Sequence, residues 1–414
     1  MYFVLLALIS MNTTSQERPN YLSLSGLVWG LGTVLGPVVG GGFELYTWRW
    51  AVYITLLFGA ILLPTFIFVI PSNDPLPGTS RWRKLASFDW VGTIISVGAF
   101  TTLVMAINFG GTLYPWNSGQ TIALFVFSGA LWIILGLQQG FVIATSLERR
   151  ILIIHLFAQK EPVLLFISCA AVGAVSYISV YYIPIYFQFT QGDSAIRSAF
   201  RLLPFIFLLI TTIPTRGAMI SHIGYYKPWY LGGSIVAPNP GCFDVYVSRE
   251  MLFSYDYKLN IEPTATIVNA DTPSGMIYGL EVLLGLGAGA YAQAAFAVIQ
   301  AVVTPADAPN GLTLIGMTLG LSISGAVFVN VASNDLFALL PEYPQSQVRQ
   351  IVSGTSGQLL SSLSETLRDQ ALAIIVSAWQ NIFICVYVAA AASLVCSVFM
   401  AHKRCNVSAA AGGA

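Results

Sequence analysis

The sequence is short of charge, and this shortage limits the kinds of protein it encodes. Only 9% of the 414 residues are charged, whereas about a quarter is usual in soluble domains. The net charge is zero and no basic block occurs, so we expect no nucleic acid partner. Because 56% of the residues are apolar, the composition predicts a membrane protein.

Residues for metal and enzyme chemistry are also scarce. The five cysteines form no CxxC pair, and the three histidines, His155, His222 and His402, lie apart near predicted span ends. The chain has no P-loop and no GxSxG, so we expect no metal, no cofactor, no ATP use and no enzyme activity. The glycine-rich LGLGAGA at 284–290 follows no strand and predicts close helix packing rather than a nucleotide loop. An integral-membrane enzyme remains a third hypothesis behind the two given below.

Long apolar segments make up most of the chain. Nine are long enough to cross a bilayer, roughly at 23–45, 50–70, 90–113, 121–143, 163–187, 202–220, 276–301, 311–333 and 374–400. A tenth begins at Trp229 but soon meets Pro238, Pro240 and several charged residues, which lipid does not accept without partners. Because helices satisfy their own backbone in lipid, we predict an all-α, polytopic transmembrane bundle.

Lys and Arg collect on one side of the predicted bundle. Over alternate loops up to residue 228, one side holds nine of them and the other holds three. The richer set is Arg18, Arg81, Arg83, Lys84, Arg149, Arg150, Lys160, Arg216 and Lys227, and the poorer set is Arg49, Arg197 and Arg201. The richer set is expected in the cytoplasm. Beyond residue 228 the count depends on whether 229–262 cross the membrane, which the sequence leaves open.

The stretch LGTVLGPVVGG, residues 31–41, places three glycines on one helical face: Gly32, Gly36 and Gly40. In lipid, such a face lets two helices approach closely. Pro37 removes a backbone hydrogen bond and favours a local bend. An isolated GxxxG is typical of a plain packing face, but the longer pattern followed by TWRW is more specific.

Together with its neighbours, this stretch resembles a known family. ERPNYLSLSGLVWGLGTVLGPVVGGGFELYTWRWAVYI is similar to the fifth helix of the fourteen-helix drug:proton antiporters of the major facilitator superfamily, particularly fungal pumps for toxins and secondary metabolites. Gly32, Gly36, Pro37, Gly40 and Gly41 look like that family's antiporter motif. The resemblance implies that this helix packs at the interface between the two halves of the transporter.

The resemblance extends from about residue 11 to residue 400. SFDWVGTIISVGAF and NFGGTLYPWNSGQTIALF are similar to the two extra central helices of the family. YYIPIYFQFTQGDSAIRSAFRLLP resembles the start of its C-terminal six-helix half, and GAMISHIGYYKP and IYGLEVLLGLGAGAYAQAAFAVIQAVV continue the match. The family's first three helices and most of the fourth have no counterpart, so an incomplete N-terminal half is expected.

The resemblance implies a division of the chain. The implied parts are 1–71, the last helices of an N-terminal six-helix bundle; 72–89, a cytoplasmic connector; 90–145, the two extra helices; 146–402, a C-terminal six-helix bundle; and 403–414, a cytoplasmic tail. An irregular insertion near 238–263 is interpreted as a retained intron or a mis-joined exon. The polar loop at 334–370 is expected to contain a short amphipathic helix.

The function that the resemblance implies is export by proton antiport. The substrate would be a small, apolar secondary metabolite or toxin, and the chain would be a multi-pass protein of the plasma membrane, with the lipid bilayer as its other partner. Alternating access requires two bundles that rock around a central site. The alternative hypothesis is therefore an inactive remnant that transports nothing.

Polar and aromatic side chains inside the C-terminal spans are the candidate substrate contacts. By position they are Tyr182, Tyr186, Gln188, Gln293, Gln300 and Asn330. Each is also suited to an interhelical hydrogen bond, and the sequence leaves both roles open. Glu281 lies one turn inside its span, which makes it a candidate proton carrier or an anchor at the membrane interface.

Overall fold

The structure is a computed structural model and is built of α-helices. It describes residues 8, 9, 13, 18–44, 46–47, 49–69, 78–86, 88–146, 149–151, 157–223, 225–237, 268–270, 272–292, 312–352, 360 and 363–402. Within these ranges the helices are α1 (Arg18–Glu44), α2 (Arg49–Phe68), α3 (Arg81–Ala86), α4 (Trp90–Phe109), α5 (Gly119–Gly140), α6 (Lys160–Gln191), α7 (Ala195–Arg201), α8 (Leu203–Ile223), α9 (Lys227–Val236), α10 (Ser274–Tyr291), α11 (Leu312–Leu339), α12 (Gln345–Val352) and α13 (Glu365–Phe399). The predicted all-α helical bundle is confirmed.

Each of the nine predicted spans overlaps a helix in the described part of the chain, and residues 293–301 of the seventh span lie outside that part. In the described part of the chain, six helices are long and apolar enough to cross a bilayer, or seven if α7 and α8, which meet at a 46° bend, form one span. The polar loop predicted at 334–370 is shorter than expected, because α11 continues to Leu339 and α13 begins at Glu365. An apolar run marks only the part of a helix inside lipid, so polar end turns were missed. The predicted amphipathic helix in that loop is α12.

Helix α6 is the centre of the packed core. It contacts α7, α10, α11 and α13, and its buried side chains include Leu165, Val175, Ile178 and Phe187. The other close pairs in this part of the chain are α8 with α10, α9 with α10 and α13, and α11 with α13. The core therefore lies within the region predicted as the C-terminal bundle.

The close packing predicted for LGLGAGA is confirmed. A Cβ atom placed on Gly285 would lie 2.3 Å from the carbonyl oxygen of Phe205, and one on Gly287 would lie 2.4 Å from the amide nitrogen of Ala237. These contacts are shorter than any side chain tolerates, so glycine is what lets α10 lie directly against α8 and the end of α9.

One end of the bundle is fastened by polar contacts around the first turn of α6. Glu161 accepts hydrogen bonds from the backbone N–H of Ala401 through Oε1, at 2.8 Å, and from the Tyr226 hydroxyl through Oε2, at 3.1 Å. Lys227 donates through Nζ to the carbonyl oxygens of Val398 and Met400, both at 2.8 Å. The start of α9 and the end of α13 therefore lie beside the start of α6.

The opposite end of α6 holds the start of α10. Gln191 donates through Nε2 to the Ser274 hydroxyl at 3.0 Å, and α6 is about 48 Å long at 1.5 Å per residue. Lys227 and Ser274, which flank the segment between α9 and α10, thus lie at opposite ends of the bundle. Arg368 lines a cavity beside Gln191 and belongs to this second end.

Helices α4 and α5 form a tight pair. Asp89, 3% exposed, caps α4 by accepting a hydrogen bond from Gly92 N at 2.8 Å, and it accepts two more from the side-chain amides of Gln138 and Gln139, at 3.3 and 2.6 Å. A Cβ on Gly92 would lie 2.5 Å from the Asp89 carboxylate, which explains why a glycine follows Asp89 by three residues. Ser128 adds a hydrogen bond to the Ala99 carbonyl at 3.0 Å.

Candidate functional site

A cavity of about 770 Å³ lies at the Gln191 end of α6. Its walls come from the end of α4, from α6, α11 and α12, and from the start of α13. The lining mixes aromatic rings, such as Tyr181 and Phe328, with amides, such as Asn108 and Gln188. Binding pockets for small molecules have this size and this mixture of apolar surface with a few polar groups.

Two of the three sequence-predicted contacts on α6 line the cavity. Helical geometry places Tyr182 and Gln188 on either side of Ile185, which points between them. Tyr186 points about 100° away from Ile185, and it packs against Trp379 at 4.9 Å and donates from its hydroxyl to the Asn269 carbonyl at 2.6 Å. Its polar group thus has a protein partner outside the cavity.

The side chain of Asn330 links α11 to the end of α4. Its side-chain amide donates to the carbonyl oxygens of Gly110 at 3.1 Å and Ala326 at 2.8 Å. Gly111 beside it has a φ of +73°, and a Cβ there would overlap the Asn330 amide oxygen. The contact ties the end of α4 to α11, which is the interhelical role that the sequence had left open for such an amide.

Ion pairs close the Gln191 end of the bundle next to the cavity. Asp193 binds Arg197 at 3.1 Å, and it also binds Arg201. Arg201 reaches across to α10 and donates to the Ser274 and Tyr278 hydroxyls, both at 3.1 Å. These contacts join α6, α7 and α10 and balance the buried carboxylate of Asp193.

Glu281 lies one turn below Tyr278 on α10 and is 2% exposed. It borders a small cavity of about 60 Å³ whose other walls include Ile277, Trp379 and Val386. Neither carboxylate oxygen has a side-chain hydrogen-bond partner among the described residues, but the backbone of Phe205 and the charge of Arg201 both favour the ionised form. Whether Glu281 carries a proton or anchors the helix at the membrane interface stays a prediction. An unpaired ionised group at such depth is costly, and groups in this position tend to be functional.

The glycine-rich helix α1 packs against α7 and α8. A Cβ on Gly30 would lie 2.1 Å from Ile210, and one on Gly41 would lie 2.8 Å from Ile196. The other predicted packing glycines, Gly32, Gly36 and Gly40, have no described atom within 4 Å of such a Cβ. Their role as a contact face stays a prediction, while Gly41 is in close contact.

Three predicted residues fall outside the description. Gln293 and Gln300 lie outside the described residues, and so does the side chain of Pro37. No group of three or more metal-ligating side chains occurs among the residues that the structure describes.

Sequence reasoning missed the contribution of α4 to the cavity. Asn108 and Thr112 line it, as does Gly325 of α11. The available signal was an asparagine near the end of an otherwise apolar span. Such an asparagine cannot be assigned to a cavity until the helix that packs beside α4 is known.

These features define a polytopic helical membrane protein with a ligand-sized cavity and a buried acid. Residues 1–239 match the family model of the Major Facilitator Superfamily, and the chain belongs to this family.

Several fungal proteins are similar over almost the whole chain. The chain is 45% identical over 413 residues to the phomenoic acid biosynthesis cluster MFS-type transporter of Leptosphaeria maculans, covering 98% of the chain and 65% of that protein. It is 39% identical to the MFS-type transporter pgmG of Aspergillus terreus, covering 100% and 71%. It is 38% identical to the efflux pump alnA of Emericella nidulans, covering 96% and 70%. The chain thus spans about two thirds of the length of these relatives, and their names confirm the expectation of a transport family rather than an enzyme family.

Proposed function

We propose that this protein exports a small secondary metabolite across a membrane by proton antiport. The observation that carries the proposal is the cavity of about 770 Å³, which lies at the Gln191 end of a major facilitator bundle and mixes aromatic and amide groups. The names of the relatives, which include an efflux pump and a transporter of a biosynthesis cluster, support the export of a metabolite. The plasma membrane is the membrane that export requires.

Glu281 is the proposed proton carrier. Its carboxyl group is buried without a side-chain hydrogen-bond partner among the described residues, beside the backbone of Phe205 at the α7–α8 bend, where Gly285 brings α10 against the Phe205 carbonyl. The bend interrupts a span, and broken spans are where many transporters change shape. A carboxyl that gains and loses a proton here would change the electrostatic free energy of the packing between α8 and α10.

The proposal is tested by deleting the gene in its own organism and comparing all secreted metabolites. Restoring the wild-type chain should restore the export of at least one metabolite. Unchanged secretion after deletion would contradict export and favour the non-transporting alternative.

Proton coupling is tested with the purified chain in liposomes that contain a pH-sensitive dye. The metabolite found above should drive a pH change with the wild type and with Glu342→Gln, an exposed control. Glu281→Gln should bind the metabolite but drive no pH change. A normal pH change with Glu281→Gln would remove this residue from the mechanism.

A further inference from the structure

We infer that the first extra helix, α4, supplies part of the substrate-binding wall, and that Gly325 with Tyr182 and Asn108 sets the upper size of the molecule that fits. The inference rests on the proposed export function and extends it to a specificity-determining element. Helix α4 belongs to residues 90–145, the two helices that a fourteen-helix arrangement has in addition to its two six-helix halves.

Three helices meet at one point inside the cavity. A methyl group at Gly325 of α11 would lie 3.5 Å from the hydroxyl oxygen of Tyr182 on α6 and 4.0 Å from the amide oxygen of Asn108 on α4. All three residues line the cavity. A glycine at this point leaves open the space that a larger side chain would fill.

The polar groups at this point suit a particular chemistry. The Asn108 side chain donates to the Val104 carbonyl at 2.8 Å, which fixes the amide and leaves its oxygen toward Gly325. An amide oxygen accepts a hydrogen bond, and a phenol both donates and accepts. With Phe328 and Val329 beside them, these groups fit a molecule with an apolar body and a few hydroxyl or carbonyl groups.

The end of α4 is held rigidly enough to act as a wall. Asn330 binds the Gly110 carbonyl, and the Trp116 ring lies so close to Gly110 that a Cβ there would overlap it. The Asp89 cluster fixes the other end of α4 to α5. Binding residues on rigid elements hold their geometry more precisely than residues on loops.

The first test does not depend on transport. Asn108→Cys is made in a chain whose five native cysteines are replaced, and intact cells are treated with a charged, membrane-impermeant thiol reagent. Asn108→Cys should be labelled, and adding Gly325→Phe should abolish the labelling. Leu113→Cys, 64% exposed in the α4–α5 turn, should be labelled in both backgrounds.

Labelling of Asn108→Cys that Gly325→Phe leaves unchanged would overturn the role of Gly325. An absence of labelling in both backgrounds, with Leu113→Cys labelled, would overturn the wall itself.

The second test measures specificity with the secretion assay described above. Gly325→Phe should lower the export ratio of the largest to the smallest metabolite by at least about tenfold, since pocket size discriminates substrates by such factors. Gly129→Phe is the matched control, because Gly129 is exposed on α5 with no neighbour within 4 Å. An unchanged ratio with Gly325→Phe would overturn the size limit. A wild-type chain that restores no secretion would instead refute the proposed function, and the labelling result would still decide the wall.

Discussion

At the scale of single residues, the glycines of α10 differ sharply in what they tolerate. Gly285→Ala should destabilise the protein by about 1–3 kcal/mol, because the new methyl group would collide with the Phe205 carbonyl. The thermal unfolding midpoint in detergent measures the change. Gly279→Ala on the same helix is the control, since nothing lies within 4 Å of that position, and it should leave the midpoint unchanged or raise it. Equal effects of the two substitutions would show that helix propensity, rather than packing, governs α10.

Asp89 offers a second test at this scale. Asp89→Ala should cost about 1–3 kcal/mol, because it removes a helix cap and takes one acceptor from each of two buried side-chain amides, Gln138 and Gln139. The same unfolding measurement applies, with the exposed Asp335→Ala as the control. A midpoint as high as that of the control would mean that the remaining acceptors, the Ile143 carbonyl for Gln138 and the Gln138 amide oxygen for Gln139, are sufficient.

Individual residues show where sequence reasoning stops. The LGLGAGA face was predicted because small residues in an apolar span have few uses other than close packing. The sequence did not distinguish Tyr182 and Gln188, which line the cavity, from Tyr186, which is buried outside it. All three are polar or aromatic groups on one helix, and only the placement of α4, α11 and α13 around α6 decides which of them faces a cavity.

At the scale of secondary-structure elements, the ends of α6, α9 and α13 are joined by Glu161. Glu161→Ala should speed amide hydrogen exchange at residues 398–402, because the Ala401 amide loses its acceptor and the Tyr226 hydroxyl loses its link to α6. Mass spectrometry of the exchanged protein measures the rate. The exposed Glu365→Ala, in the first turn of α13, should not change it. An unchanged rate in Glu161→Ala would show that the Lys227 contacts alone hold this end.

Helices were the most predictable elements. Each of the nine apolar runs overlaps a described helix, as expected because in lipid an isolated segment satisfies its backbone only as a helix. The ends were less predictable, as α13 shows. Its first turns carry Arg368 and Asp369, and nothing in an apolar count identifies polar turns that continue a helix beyond the bilayer.

At the scale of the whole molecule, the predicted orientation has a direct test. A single cysteine at Leu113 should react with an impermeant thiol reagent in intact cells, and one at Leu85, exposed on α3, should react only after the cells are opened. The expectation follows from the nine basic residues counted on one side against three on the other. The reverse labelling pattern would invert the topology and place the cavity on the cytoplasmic side.

The family was recognisable from sequence because its motifs occur in order along the chain, and the comparisons confirm it. The path between α9 and α10 was not predictable, because the charge count beyond residue 228 itself depends on whether 229–262 cross the membrane. The contacts of Lys227 and of Ser274 place the start of α9 and the start of α10 at opposite ends of the bundle.

The Glu161 contacts can form only in a fixed order while the chain is being synthesised. During synthesis α6 is made first, and its two hydrogen-bonding partners follow 65 and 240 residues later. At about 5–20 residues per second, the second partner is made roughly 12–48 s after Glu161. For that interval the Glu161 oxygen that accepts from Ala401 lacks this partner, so a ribosome that stops before α13 leaves a chain in which Tyr226 is the one of the two partners that can bind Glu161.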